Sequence, residues 1–316
     1  MQGRPYELPD VTDTQRATLA VVGLAIAVVL WGLNTVAIKL IAPGGLVVAV
    51  YRLWFAIPLL WATALAPSVR HRLDGAWLRA SIVGGVLFSV HQVLFFTSLK
   101  LTTVANVAII GALQPALVLL VAGRMFGERV TPRALAWSLV AFVGTALVIV
   151  GAIGAPTWSP LGDVLAGLNL FAFTAYFLAS KRFRERVPAW EYVVGMTTVA
   201  GVVILGVALA TGQDLGSPRG WEWAVLIGIA IFPGTLGHVL LNWSHAWVSA
   251  FVSSMLLLAI PLVAAAGAVA FLGETLGVLQ IAGALVVVIA IANVVLSTSR
   301  PTAEALAEGV AATDAP

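Results

Sequence analysis

"LQPALVLLVAGRMFGERVTPRALAWSLV", residues 113–140, has a counterpart in "AIPLVAAAGAVAFLGETLGVLQIAGALV", residues 259–286. At a constant offset of 146, Pro115 falls on Pro261, Ala122 on Ala268, and Gly127-Glu128 on Gly273-Glu274. Ala136, Leu139 and Val140 fall on Ala282, Leu285 and Val286. The register runs back through Val93, Leu94 and Ser98, which meet Val239, Leu240 and Ser244. Apolar chains match by chance easily, but a proline followed at the same distance by Gly-Glu, twice, is much harder to obtain by accident. An internal repeat sets the architecture before any single element does.

The rest of the chain says where such a repeat lives. Hydrophobic residues make up 60% of 316 positions and charged residues only 10%. A soluble domain has about half and about a quarter. With so few charges a water-facing surface cannot be covered, so the chain belongs in a lipid bilayer. A spanning helix needs about 20 mostly apolar residues. That ruler places ten spans at 17–38, 46–66, 80–99, 103–123, 133–154, 161–180, 190–210, 222–242, 246–272 and 277–297. The breaks carry turn chemistry, as in "APGG" (42–45), "RHRLDG" (70–75) and "TGQDLGSPRG" (211–220).

Lys and Arg collect on the cytoplasmic side of such bundles. With the amino terminus inside, the inner ends hold thirteen of them, among them Arg70, Arg72, Arg124, Arg129 and the Lys181–Arg186 run, and the outer ends hold Lys39, Lys100 and Arg219. Both termini are therefore expected in the cytoplasm and the protein in the cytoplasmic (inner) membrane. Five spans per repeat is an odd number, so the second copy must enter the membrane from the opposite side. The expectation is an all-α integral membrane protein of ten helices in two inverted five-helix repeats, an architecture common among secondary transporters, with the substrate site near the midplane. The organisation reads as a cytoplasmic tail (1–16) without signal-peptide features, a first repeat (17–154), a linker (155–160), a second repeat (161–299) and a disordered tail (300–316).

Other residues carry a resemblance. "WGLNTVAIK" (31–39), "YRLWFA" (51–56) and the twice-repeated Pro…Gly-Glu pattern resemble the drug/metabolite transporter superfamily, in its bacterial ten-helix branch with two EamA domains. The likeness covers roughly residues 20–299 and is specific for fold and for transport, not for substrate. In the second repeat "FTAYFLASK" (173–181) keeps the aromatic start and the lysine but not the Trp-Gly or the Asn, so no role of Asn34 transfers there. The resemblance implies a basket around a central cavity, lined or supported by spans one to four and six to nine, with five and ten peripheral.

Strongly polar groups are costly at membrane depth and are functional candidates by default. Arg52 is the only cation well inside a span. It either snorkels or bonds neighbouring carbonyls, or it anchors an anionic group such as a substrate carboxylate, or it locks the two repeats together. His91 and Gln92 in span three and His238 in span eight lie at pseudo-equivalent depth, since Gln92 meets His238 at the repeat offset. His238, Asn242 and His245 follow i, i+4, i+7 on one helical face. His91 and His238 are proton-coupling candidates, because an imidazole titrates near neutral pH; His245, next to a loop, reads as a solvated cap. Trp31 and Asn34 in span one, Asn106 and Gln114 in span four, Asn169 and Tyr176 in span six, and the deep Trp243 complete the cavity candidates. Each alone is more simply helix–helix glue, which contributes about 0.6 kcal/mol on average; as a set, some should face a cavity that takes a small polar or amphipathic molecule.

No catalytic constellation, metal cluster or nucleotide motif is present in the sequence, and cysteine is absent. No cofactor, metal or nucleic acid is expected. Glu128 and Glu274 fall on opposite sides of the membrane and cannot form one catalytic pair; each is expected to accept bonds from the free N–H groups of the helix that follows it. Together with Arg52, Pro115, Gly127, Pro261 and Gly273 they form the structural motif. Spans five and ten, with Gly144 and Gly283, could support a homodimer or meet only lipid. The reading is a secondary transporter that exports a small metabolite by alternating access. Its rivals are an integral-membrane enzyme acting on a lipid-linked substrate and a non-transporting assembly partner.

Overall fold

The computed structural model describes residues 12–64, 74–102, 104–128, 131–153, 159–216, 218–273 and 275–313. Glu274 and most of the 155–160 linker lie outside these. Among the described residues every regular element is helical, and ten helices are long and apolar enough to cross a membrane. Their windows run from Gln15–Ile38 to Val278–Val295 and match the ten expected spans one for one. The third begins earlier than the hydropathy ruler places it, at Gly75, because Asp74 caps the backbone N–H of Trp77 at 2.9 Å and starts the helix there.

In chain order the helices are α1 (Asp13–Lys39), α2 (Gly45–Ala64), α3 (Gly75–Leu101), α4 (Val104–Gly111), α5 (Gln114–Phe126), α6 (Pro132–Ile153) and α7 (Pro160–Phe183). They continue with α8 (Ala189–Ala210), α9 (Glu222–Ile229), α10 (Gly237–Ser244), α11 (Ala250–Leu257), α12 (Ile260–Leu272) and α13 (Val278–Thr313). Spans four and nine are each broken in two, α4/α5 and α11/α12. Span eight is α9, a π-helical turn (Ala230–Leu236) and α10. The backbone of α13 is helical as far as Thr313, where low hydropathy had pointed to disorder; the alanine- and glutamate-rich 302–313 stretch is made of good helix formers.

The breaks explain the opening motif. Pro115 and Pro261 each sit in the first turn of the second half-helix, where a missing N–H costs no intrahelical bond. The prolines therefore start new half-helices rather than kink continuous ones. Both half-helices end on a glycine in the left-handed region twelve residues after the proline, Gly127 at φ 70° and Gly273 at φ 68°, a conformation that L side chains rarely adopt. The repeated spacing from Pro to Gly is the length of one half-helix.

The two repeats interdigitate. Helix α1 packs on α10 and α12, and its repeat counterpart α7 packs on α3 and α4. Helix α2 crosses α8, its own counterpart; α5 meets α11, and α6 meets α13. On exchange of the repeats the α1–α10 contact maps onto α7–α3, and the α2–α8 and α6–α13 contacts map onto themselves. Spans five and ten lie together at the edge, pressed at Gly144 and Gly283: a Cβ on Gly283 would stand 2.6 Å from the Gly144 carbonyl oxygen. These glycines, expected to serve a dimer or lipid contact, are consumed inside the chain. Large apolar side chains such as Leu120, Phe271 and Leu285 project from the bundle, as a lipid-facing surface requires.

Candidate functional site

Midway along the bundle, side chains from spans one, two, three, six and eight converge. The π-helical turn in span eight creates their anchor. Pro233 lies inside it, and its carbonyl is the acceptor on which side chains meet. Trp31 Nε1 donates to it at 2.9 Å and His238 Nδ1 lies 3.2 Å away. A carbonyl only accepts, so the His238 proton sits on Nδ1. The rings of Trp31 and His238 meet edge-on at 5.1 Å, and Phe88 closes on His238 at 5.2 Å.

Arg52 of α2 enters beside this turn. Its stem lies against Gly234, where a Cβ would come within 3.0 Å of the arginine Cγ. Arg52 Nη2 donates to Gln92 Oε1 at 2.9 Å, and the guanidinium lies 5.5 Å from the Phe88 ring centre. On the far side, His91 Nδ1 meets Asn169 Oδ1 at 2.7 Å and its ring lies 4.7 Å from that of Phe173. Tyr176 packs on Phe88 at 5.1 Å, and Asn242 accepts from Ser180 and donates to the His238 carbonyl at 2.8 Å. Gln92, Tyr176, His238 and Asn242 are all buried.

The structure thus gathers eight residues singled out in the sequence: Trp31, Arg52, His91, Gln92, Asn169, Tyr176, His238 and Asn242. It does not gather the rest. Asn34 is half-buried with its side-chain oxygen unpartnered, and Gln114 is buried at the α4/α5 break with an unpartnered Nε2. Asn106 serves a different task, donating at 2.5 Å to Asp163, which also accepts from Thr102 at 2.7 Å and from the Ser159 N–H at 3.0 Å. Trp243 packs on Gly23 of α1 and lines an end cavity, because it points away from the face that carries His238 and Asn242. His245, read as a solvated cap, is buried edge-on against Phe177 at 4.7 Å. Burial, then the neighbouring Lys181 and Arg184 cations, push its imidazole well below the ordinary value, so it stays neutral. Phe88 and the π turn were passed over by the sequence reading. The signal available for the turn was the Pro-Gly pair in "IFPGT" (231–235), unusual inside an apolar span.

Trp31→Phe tests the anchor. It removes one of two donors to a buried carbonyl and should lower thermal stability by about 1 kcal/mol, with a fall in the detergent melting temperature of the purified protein as the readout.

Each end of the bundle carries its own ties between the repeats. At one, Glu222 accepts from the Ala42 N–H at 2.7 Å and the Arg219 N–H at 2.8 Å. There Tyr51 donates to the Leu215 carbonyl at 2.5 Å and stacks edge-on with Trp223 at 4.8 Å, so first- and second-repeat segments are tied together. At the other end a cavity of about 560 Å³ is lined among others by Glu128, Lys181, Arg184, Trp243 and Trp247; a second, of about 530 Å³, lies beside Glu222 at the first end. The wall of the larger cavity holds a correction. Glu128 does not cap the helix that follows it: Thr131 does, accepting the Ala134 N–H at 3.2 Å. The Glu128 carboxylate instead reaches across to the first turn of α11 in the other repeat, accepting the N–H groups of Ala250 at 2.6 Å and Phe251 at 3.1 Å. Lys181 stands 3.6 Å from it and donates to the Val248 carbonyl at 2.6 Å. The left-handed turn at Gly127 redirects the chain so that its successor faces the partner repeat.

A ten-span helical membrane protein of two interlocked five-span repeats around a mid-membrane polar and aromatic cluster is thereby defined. Residues 18–150 and 160–296 each match the EamA-like transporter family, and the chain belongs to that family. It is similar to the aromatic amino acid exporter YddG of Ancylobacter novellus, 31% identical over 170 residues, and to an uncharacterized transporter of Synechocystis sp., 22% identical over 166 residues. These matches cover 51% and 49% of this chain and only about half the length of the relatives, 55% and 48%. A solved crystal structure shares the fold at a TM-score of 0.78 and 21% identity, covering 90% of this chain and 99% of its own.

Proposed function

We propose that the protein is a secondary transporter that exports a small amphipathic metabolite across the cytoplasmic membrane by alternating access. The observation that carries this is the central cluster: polar groups from both repeats meet at mid-depth, where only a function repays their cost. The family and the exporter-named relative support transport rather than catalysis. The crowding of Lys181, Arg182, Arg184 and Arg186 around the cavity beside Glu128 supports a cytoplasmic position for that end, with both termini inside.

Proton coupling through His91 and His238 is part of the proposal. Each ring already uses Nδ1, on Asn169 and on Pro233, which leaves Nε2 as the exchangeable position. Proteoliposome efflux of a radiolabelled amino-acid panel should depend on pH, and His91→Ala and His238→Ala should flatten that dependence and cut flux about tenfold or more. Unchanged flux and pH profile in both variants sinks the proton role. Absence of flux for the whole panel sinks transport of this substrate class.

A further inference from the structure

We infer that Arg52 is a specificity-determining residue that binds one carboxylate of the substrate, and that the substrate is therefore an amphipathic monocarboxylate, free or zwitterionic. This rests on the transporter reading above. Arg52 lies mid-way along α2, at membrane depth. Among the described residues no carboxylate lies against it: its one side-chain partner is the neutral Gln92, at 2.9 Å, and its Nε is buried without any partner. Nor does it serve a helix carbonyl or reach an interface, the two structural roles open to a membrane arginine. A guanidinium offers five N–H groups in a planar fork that fits a carboxylate with two parallel bonds. Only part of that fork is used. Arg52 is half-buried as a residue, and its Nε is fully buried.

The surroundings define the other half of that molecule. Phe88 lies under the guanidinium and touches the rings of His238, Tyr176 and His91, and Trp31 packs on His238. Such a wall suits an aromatic or aliphatic body attached directly to the anion. The backbone is shaped to hold the arginine: Gly234 in the π turn admits its stem, and a Cβ there would meet the Ile229 carbonyl at 2.8 Å and the Arg52 Cγ at 3.0 Å. Gln92 holds one end of the fork and leaves the guanidinium charge uncompensated. A substrate carboxylate supplies the missing counter-charge.

Gln92 also supplies the test. Gln92→Glu places a carboxylate within the present hydrogen-bond distance of Arg52 and so occupies the anion site from within. The probes are L-phenylalanine and 3-phenylpropionate, which carry the carboxylate, and L-phenylalaninamide and phenethylamine, which do not. Purified protein is melted with each probe, and proteoliposomes are assayed for counterflow. Wild type should be stabilised by, and exchange, the two carboxylates in preference to the amide and amine. Gln92→Glu should melt higher without ligand yet lose about 10–100-fold in half-saturation for the carboxylates, the effect of one charged hydrogen-bonding pair. Arg52→Gln should lose the carboxylate preference wherever it folds. Carboxylate transport unchanged in Gln92→Glu overturns the assignment, as does stabilisation given equally by chloride alone. Equal movement of all four probes in wild type leaves transport standing and removes Arg52 from specificity; movement of none in any form overturns the transporter reading itself.

Discussion

Glu128→Ala is expected to lower the yield of folded protein sharply and to reduce its stability by about 2–4 kcal/mol. Two charge-assisted bonds to backbone N–H groups disappear, at roughly 1.5–3 kcal/mol each before relaxation. The positive end of the α11 dipole also loses its anion. Lys181 is left with the Val248 and His245 carbonyls and only the weaker pull of Glu185. Glu128 is only 13% exposed at its side chain, so water replaces little of this. Because the contact joins the first repeat to the second, the damage is to assembly of the halves and not to a local turn. Glu128→Gln, which keeps one acceptor, should recover part of the yield. The check is the monodisperse fraction in size-exclusion chromatography together with the melting temperature. A stable Glu128→Ala protein with a changed substrate preference would mean that the carboxylate belongs to the transport site and that its capping is incidental.

Gly283→Leu is the second large effect. At Gly283 a Cβ alone would meet the Gly144 oxygen at 2.6 Å and the Val148 nitrogen at 2.8 Å, both backbone atoms that cannot step aside. A leucine must push α13 away from α6 along the seam, at a cost of about 3 kcal/mol or more, toward the upper end for overpacked sites. Spans five and ten carry no residue of the central cluster. The variant should therefore lose thermal stability while retaining substrate selectivity in the fraction that stays folded. If Gly283→Leu left stability untouched but converted a dimer into a monomer in crosslinking, the seam would be an intermolecular one.

Much of the fold was legible because lipid imposes a simple rule. Backbone groups must be satisfied within each span, so length and hydropathy suffice to place ten helices. The Pro…Gly-Glu repeat added the pairing of the halves, and its physical content is now specific: proline in a first turn, left-handed glycine at the end and, in the first copy, a glutamate thrown toward the other repeat. The site was legible in part. Arg52, His91, Gln92 and His238 stood out because polar groups are rare at that depth. Asn106 and Trp243 stood out equally and proved to lie elsewhere, since residue type and depth do not tell which neighbour a helix face will meet. The Asp163 carboxylate, which takes Asn106, comes from a helix 57 positions away in the sequence.

By itself, then, the sequence determined the class, the number of spans and the twofold repeat, all of which follow from local composition and periodicity. The tertiary structure alone decided three things. A carbonyl in the π turn receives Trp31 and His238; Glu128 caps α11 and not its own successor; and Arg52 meets a glutamine in place of a carboxylate. Each is a meeting between segments distant along the chain, fixed by how the helices cross, and no local pattern encodes it.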